Sequence, residues 1–201
     1  MGVSVTLNYM SPLFLSGILF FQSESKNRPS PWQFFYILIG LVGVMLMLNP
    51  FGEAMHQDNL IPICLGLLAA FVAALAFKDV KVLKEAAQNE WQMVFYFSLI
   101  AALISFPFTA IVRFQFHENV SLYGYLSVAG FLGAIGQFGV SKAFGTGNQI
   151  VAASLQYLSV IFSLLLAWAV LGETVSSQQL MGIVIVIFSA LLTIIQPKLT
   201  H

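Results

Sequence analysis

The chain has 201 residues, of which 59% are hydrophobic and 8% charged, where an ordinary soluble domain carries about 25% charged residues. A mean hydropathy of +0.89 leaves too little polar surface to cover a water-soluble globule, which excludes a soluble enzyme fold. Eight Lys+Arg balance eight Asp+Glu, so there is no basic face for a nucleic acid, and the single Cys64 permits neither an intramolecular disulfide nor a cysteine metal cluster.

A membrane helix takes about 20 residues, so the length allows roughly seven. Apolar runs broken by Gly, Pro and charge predict helices over 3–21, 32–49, 60–77, 92–112, 122–141, 150–171 and 178–196. The first run carries Asn8, Tyr9 and Ser11. The second, Trp32 to Asn49, would be about 27 Å long, enough for the hydrocarbon core once its ends are counted. The third holds a small-residue stripe, Gly66, Ala70 and Ala74, expected to pack against a neighbouring helix. On the fifth, Gln137 and Ser141 share a face beside Gly130, Gly133 and Gly136, again read as packing glycines. The sixth places Gln156, Ser159 and Ser163 at i, i+3 and i+7, hence on one face, with Tyr157 beside them and Trp168 near one end as an interfacial anchor. The runs are continuous rather than alternating, so the predicted fold is an all-α integral membrane protein, a polytopic bundle of about seven transmembrane helices.

Seven spans put successive loops on alternate sides. Lys26, Arg28, Lys78, Lys81, Lys84, Lys142 and Lys198 then fall on one side and Arg113 alone on the other. The positive-inside rule makes the carboxyl terminus cytoplasmic and the amino terminus external. Residues 1–10, MGVSVTLNYM, bring no charge and no signal-peptide n-region to explain an external start, so spans upstream of Met1 are expected.

Residues 9–50 can be laid on residues 157–197 with a one-residue gap in the loop, pairing Tyr9 with Tyr157, Ser11 with Ser159, Phe14 with Phe162 and Pro50 with Pro197. The two copies cross the membrane in opposite senses, an inverted repeat of the kind transporters use. On SPLF (11–14), IGLVGVMLMLNP (39–50), GLLAAFVAALAF (66–77) and above all the stretch from GYLSVAG to AVLGE (124–173), the sequence resembles the drug/metabolite transporter superfamily, specifically its EamA-like members. The resemblance implies ten spans in two inverted five-helix repeats, with both termini cytoplasmic. Residues 1–50 would be the last two helices of the first repeat and residues 60–197 the whole second repeat. The first copy departs from the pattern in reading FFQSES, with Glu24 one place off the position of Glu173. The second copy has Val160 where the family often has proline.

The candidate substrate-binding residues are Asn8, Tyr9, Ser11, Gln137, Gln156, Tyr157, Ser159 and Ser163. Amides and hydroxyls cost free energy against lipid, so they should face protein or a watery cavity, lining a solute path or bonding helix to helix. No Asp or Glu lies deep within a span to serve as a proton relay. Lys78 and Lys142 are expected to snorkel to headgroups, with an anionic solute as the second reading for Lys142. No cofactor is implied: Gly145 to Gln149 lacks the lysine and length of a phosphate loop and makes a tight connection. No metal is implied either, since His56, His117 and His201 are scattered through loops and tail.

The expected function is therefore a non-enzymatic transporter moving a small metabolite or drug-like solute across the cell membrane by alternating access, its partners being the lipid bilayer and that solute. Two alternatives stand beside it. A seven-span receptor fits the count, but residues 178–196 contain no lysine for a retinal Schiff base and a receptor has no reason for an inverted repeat. A non-transporting membrane fragment is the other. With residues 3–49 as the only part of the first half, the chain is expected not to run a transport cycle alone unless self-association into a homodimer supplies the missing wall.

Overall fold

The structure is a computed structural model that describes residues 7–22, 30–48, 60–111 and 120–195. Its helices are α1 (Ser11–Gln22), α2 (Pro31–Leu48), α3 (Leu60–Glu85), α4 (Glu90–Ile111), α5 (Val120–Thr146), α6 (Gln149–Leu155), α7 (Leu158–Leu171) and α8 (Ser177–Ile195), and no strand occurs among the described residues. Five helical stretches are long and apolar enough to cross a membrane: Pro31–Leu48, Ile63–Glu85, Glu90–Pro107, Gln149–Leu171 and Ser177–Ile195. α1 is apolar but spans 12 residues, and α5, 27 residues long, is diluted by Gly, Ser and Tyr. The chain is an all-α polytopic membrane bundle.

Four of the expected boundaries are corrected. The first run is interrupted by a turn at Tyr9–Met10, and the sixth is divided at Gln156–Tyr157. α3 continues to Glu85, so Lys78, Lys81 and Lys84 lie on a helix rather than in a loop, and α5 continues to Thr146. The α3 extension carries Lys78, Asp79, Lys81, Lys84 and Glu85 and the α5 extension opens on Lys142, and a hydropathy reading ends a span where such charges enter. Arg113, Glu24, the three histidines and both repeat-ending prolines lie outside the described residues.

The chain divides into two compact units, residues 1–78 with 148–201 and residues 79–147. In the first, α2 and α8 pack along one another, and α1 packs on α2 and α6. The core joins Ile37, Leu41, Val44 and Met47 of α2 to Ile150, Tyr157, Val160, Ile161 and Val186. The α2–α8 approach rests on glycine. A Cβ on Gly43 would lie 2.9 Å from the Gly182 carbonyl oxygen, and one on Gly182 would lie 2.5 Å from Met47 Cγ. Ser189 Oγ donates to the Tyr36 carbonyl at 2.6 Å across this interface, a bond worth about 0.6 kcal/mol in membrane proteins on average. The stripe on α3 behaves as expected: Ala70 and Ala74 are fully buried, and Gly66 lies against Leu7. Phe71 meets Phe14 of α1 edge-on.

Both α2 and α8 begin with the same device. Ser30 N–H donates to Gln33 Oε1 at 3.0 Å, and Ser176 N–H donates to Gln179 Oε1 at 2.8 Å while the Gln179 N–H returns a bond to Ser176 Oγ. These Ser-x-x-Gln boxes satisfy amides that the first turn of a helix leaves without partners. Asn148 caps α6 by accepting from the Ile150 and Val151 amides, and Gln149 Nε2 ties α6 to the Phe77 and Lys78 carbonyls. Lys78 Nζ donates to Gln22 Oε1, so this cation has a protein partner at the membrane edge. α7 closes at Gly172, whose φ of +69° is a left-handed conformation that explains the glycine of Leu-Gly-Glu.

In the second unit α4 packs on α5, with Trp91 stacked on Phe138 at a centroid distance of 4.4 Å. α3 ends in a left-handed Ala87, with Gln88 N–H bonded to the Leu83 carbonyl, and Lys84 forms an ion pair with Glu90 at 2.6 Å. The packing expected of Gly130, Gly133 and Gly136 is not realised among the described residues, where a Cβ at any of them meets nothing within 4 Å.

Candidate functional site

The site grows out of the break between α6 and α7. No Pro or Gly occurs between Ala152 and Leu171, so the interruption has another cause. Ser154 Oγ donates to the Val151 carbonyl at 2.9 Å and Ser159 Oγ to the Gln156 carbonyl at 2.7 Å, drawing the backbone into shorter bonds. The amides of Gln156, Tyr157, Ser159 and Val160 accordingly bond three residues back rather than four, to Ala153, Ser154, Gln156 and Tyr157. Such a tightened segment inside a helix often marks a functional hinge.

The first copy breaks within one residue of the equivalent place, by different chemistry. Pro12 has no amide hydrogen to bond back into the preceding turn, and Met10 and Leu13 bond three residues back, to Leu7 and Met10. Proline in one copy and serine in the other thus produce matching interruptions.

At these two breaks the copies meet. The rings of Tyr9 and Tyr157 lie 6.3 Å apart, tilted by 55°, and Tyr9 Oη is 3.0 Å from Ser159 Oγ. Because Ser159 gives its proton to the Gln156 carbonyl, Tyr9 is the donor, and the order is Tyr9 hydroxyl to Ser159 hydroxyl to Gln156 carbonyl. Tyr157 is fully buried, with its ring over Gly40, where a Cβ would come within 2.6 Å of Cδ2.

Tyr9, Gln156, Tyr157 and Ser159 are therefore brought together. Ser11 is buried in the first turn of α1. Asn8, Ser159 and Ser163 are exposed, and Gln156 is half-buried. The break removes the geometry behind the i, i+3, i+7 face, since the 3.6-residue period does not carry through a segment bonded three residues back. Gln137 is exposed on α5 in the other unit, and Ser141 is buried there. Trp168 is exposed. A pocket of about 270 Å³ opens between the end of α1 and the start of α2, lined by Ser16, Gly17, Phe20, Phe21, Ser30, Pro31 and Phe34. It contains none of the candidate residues.

Gly40, Gly43, Gly182 and Ser189 complete the site's support and were not singled out by sequence reasoning. A signal existed: Gly43 and Ala190 are equivalent in the repeat, and both are small. Without a partner, however, small residues on a hydrophobic helix name no contact.

Residues 60–195 match the EamA-like transporter family. The chain belongs to that family. Over 188 residues it is 25% identical to the pseudopaline exporter CntI of Pseudomonas aeruginosa (strain UCBPP-PA14), covering 92% of this chain and 63% of that protein. It is 24% identical over 200 residues to an S-adenosylmethionine uptake transporter of Rickettsia bellii, covering 97% of this chain and 64% of that protein. An uncharacterized transporter of Helicobacter pylori is 25% identical over 162 residues, 77% of this chain. The chain thus spans less than two thirds of the length of these relatives. No solved structure matches it. The two breaks and the paired tyrosines fall at equivalent positions of residues 9–50 laid on residues 157–197.

Proposed function

We propose that this EamA-like chain moves a small amphipathic solute across the cell membrane by alternating access, with its carboxyl terminus in the cytoplasm. The observation that carries this reading is the meeting of repeat-equivalent Tyr9 and Tyr157 at two matching helix breaks. Tyr9, Gln156 and Ser159 form one wall of the solute site, with Asn8 and Ser163 along its exposed margins. Every one of these side chains is neutral, so the wall offers aromatic surface and hydrogen bonds without a fixed charge, which suits a solute with apolar and polar parts. Catalysis has no part in this reading, because the side chains supply binding groups without a nucleophile and base in a reacting geometry.

The substrates named for two relatives, pseudopaline for the exporter and S-adenosylmethionine for the uptake transporter, are the first compounds to test. Self-associated as the homodimer that supplies the missing wall, the chain in liposomes is expected to carry out saturable flux of an amphipathic metabolite, and Gln156→Leu is expected to lower that flux about tenfold while insertion is retained. Unchanged kinetics in Gln156→Leu would return the residue to helix packing. Absence of any saturable flux over a panel of metabolites would overturn the transport reading.

A further inference from the structure

The hydroxyl of Tyr157 is buried with no hydrogen-bond partner among the described residues. A phenylalanine would bury the same ring without stranding a polar atom, so the hydroxyl costs this conformation free energy. The surroundings offer no ready relief. Ser189 Oγ lies above Gly40 beside the edge of the Tyr157 ring, at Cδ2 and Cε2, and makes no hydrogen bond to the tyrosine hydroxyl. Tyr9, the equivalent residue of the first copy, is by contrast satisfied through Ser159.

This asymmetry has a form that the repeat makes specific. Ser11 is the equivalent of Ser159, and Asn8 is the equivalent of Gln156. The bonded arrangement seen here, Tyr9 to Ser159 to the Gln156 carbonyl, therefore has an unused counterpart, Tyr157 to Ser11 to the Asn8 carbonyl. In an inverted-repeat carrier the two conformations arise when the copies exchange shapes. We propose that the two tyrosines alternate. In the conformation described, Tyr9 is paired and Tyr157 is stranded; in the opposite conformation, reached by turning α7 about the Gln156–Tyr157 break, Tyr157 pairs with Ser11 and Tyr9 gives up Ser159. The inference rests on the alternating-access reading and adds to it the pair of bonds that balances the two states.

The test reads conformation without flux, so it can fail independently of transport. In a Cys64→Ser background, Val160→Cys places a thiol in the core on the first turn of α7, where it is nearly inaccessible in this conformation. Its alkylation rate by N-ethylmaleimide in nanodiscs measures how often α7 turns away. Tyr157→Phe is expected to slow alkylation roughly fivefold, the factor corresponding to one neutral hydrogen bond, and Tyr9→Phe to speed it by a similar factor. Ser11→Ala should slow it, as Tyr157→Phe does, and Ser159→Ala should speed it. Opposite signs at the two tyrosines are what loosened packing alone does not produce. Alkylation of Tyr157→Phe at the wild-type rate or faster overturns the proposal, as does acceleration by Ser11→Ala if Tyr157→Phe fails to insert. Loss of flux with the opposite signs preserved would count against the transport reading and leave the alternation standing.

Discussion

At Gly182 and Gly130 the same residue type answers to opposite physics. A Cβ on Gly182 would meet Met47 Cγ at 2.5 Å and the Gly43 carbonyl oxygen at 2.7 Å, so the α2–α8 interface closes only over glycine. A Cβ on Gly130 meets nothing within 4 Å. Gly182→Val is therefore expected to lower stability by about 1–3 kcal/mol through overpacking, seen as a lower midpoint in detergent thermal unfolding. Gly130→Ala is expected to be neutral or to raise the midpoint, because alanine loses less backbone entropy in a helix. Equal effects at the two sites would contradict this packing. Tyr157 packs at the same place on α2: its ring fills the space that Gly40 leaves, and the residue becomes fully buried.

The helices take their limits from side chains that settle end groups more than from hydropathy. Asn148 Oδ1 accepts from two amides at the start of α6, at 2.9 and 3.3 Å. α6 is only seven residues long, so it has few internal bonds to hold its first turn once the cap is gone. Asn148→Ala is expected to cost about 1 kcal/mol, and amide exchange should quicken at Ile150 and Val151 before the rest of the unit. Unchanged exchange at those two amides would mean that the bond from Gln149 to the Phe77 carbonyl, not the cap, holds α6 in place. The matching Ser-x-x-Gln boxes at the starts of α2 and α8 were not read from the sequence, where hydropathy alone set the helix starts. The breaks were not legible. In α6–α7 they come from two serine hydroxyls choosing backbone carbonyls three residues back, a choice that exposed serines in an intact helix do not force.

On the scale of the whole chain, the proposed membrane orientation rests on the positions of Lys and Arg rather than on packing. Seven of the eight basic residues fall on one side of the spans read from the sequence. The ion pair of Lys84 with Glu90 joins the end of α3 to the start of α4 and does not bear on the orientation. A reporter fused after His201 is expected to fluoresce as a cytoplasmic domain, and alkaline phosphatase in the same place should be inactive. Phosphatase activity there would reverse the topology.

By itself the sequence determined that this is a multi-span helical membrane chain, that residues 9–50 can be laid on residues 157–197, and that it resembles the EamA-like transporters. Those properties follow from hydropathy summed over about 20 residues and from similarity spread along the chain, neither of which depends on where a particular side chain points. Tertiary structure alone decided that Tyr9 reaches Ser159, that Tyr157 is sealed over Gly40, and that the α5 glycines face open space while Gly43 and Gly182 touch. The helical period carries direction only along an unbroken helix, and here each copy is broken beside its tyrosine. Past such a break, a side chain's neighbours are set by how the two copies pack, a quantity that no single span contains.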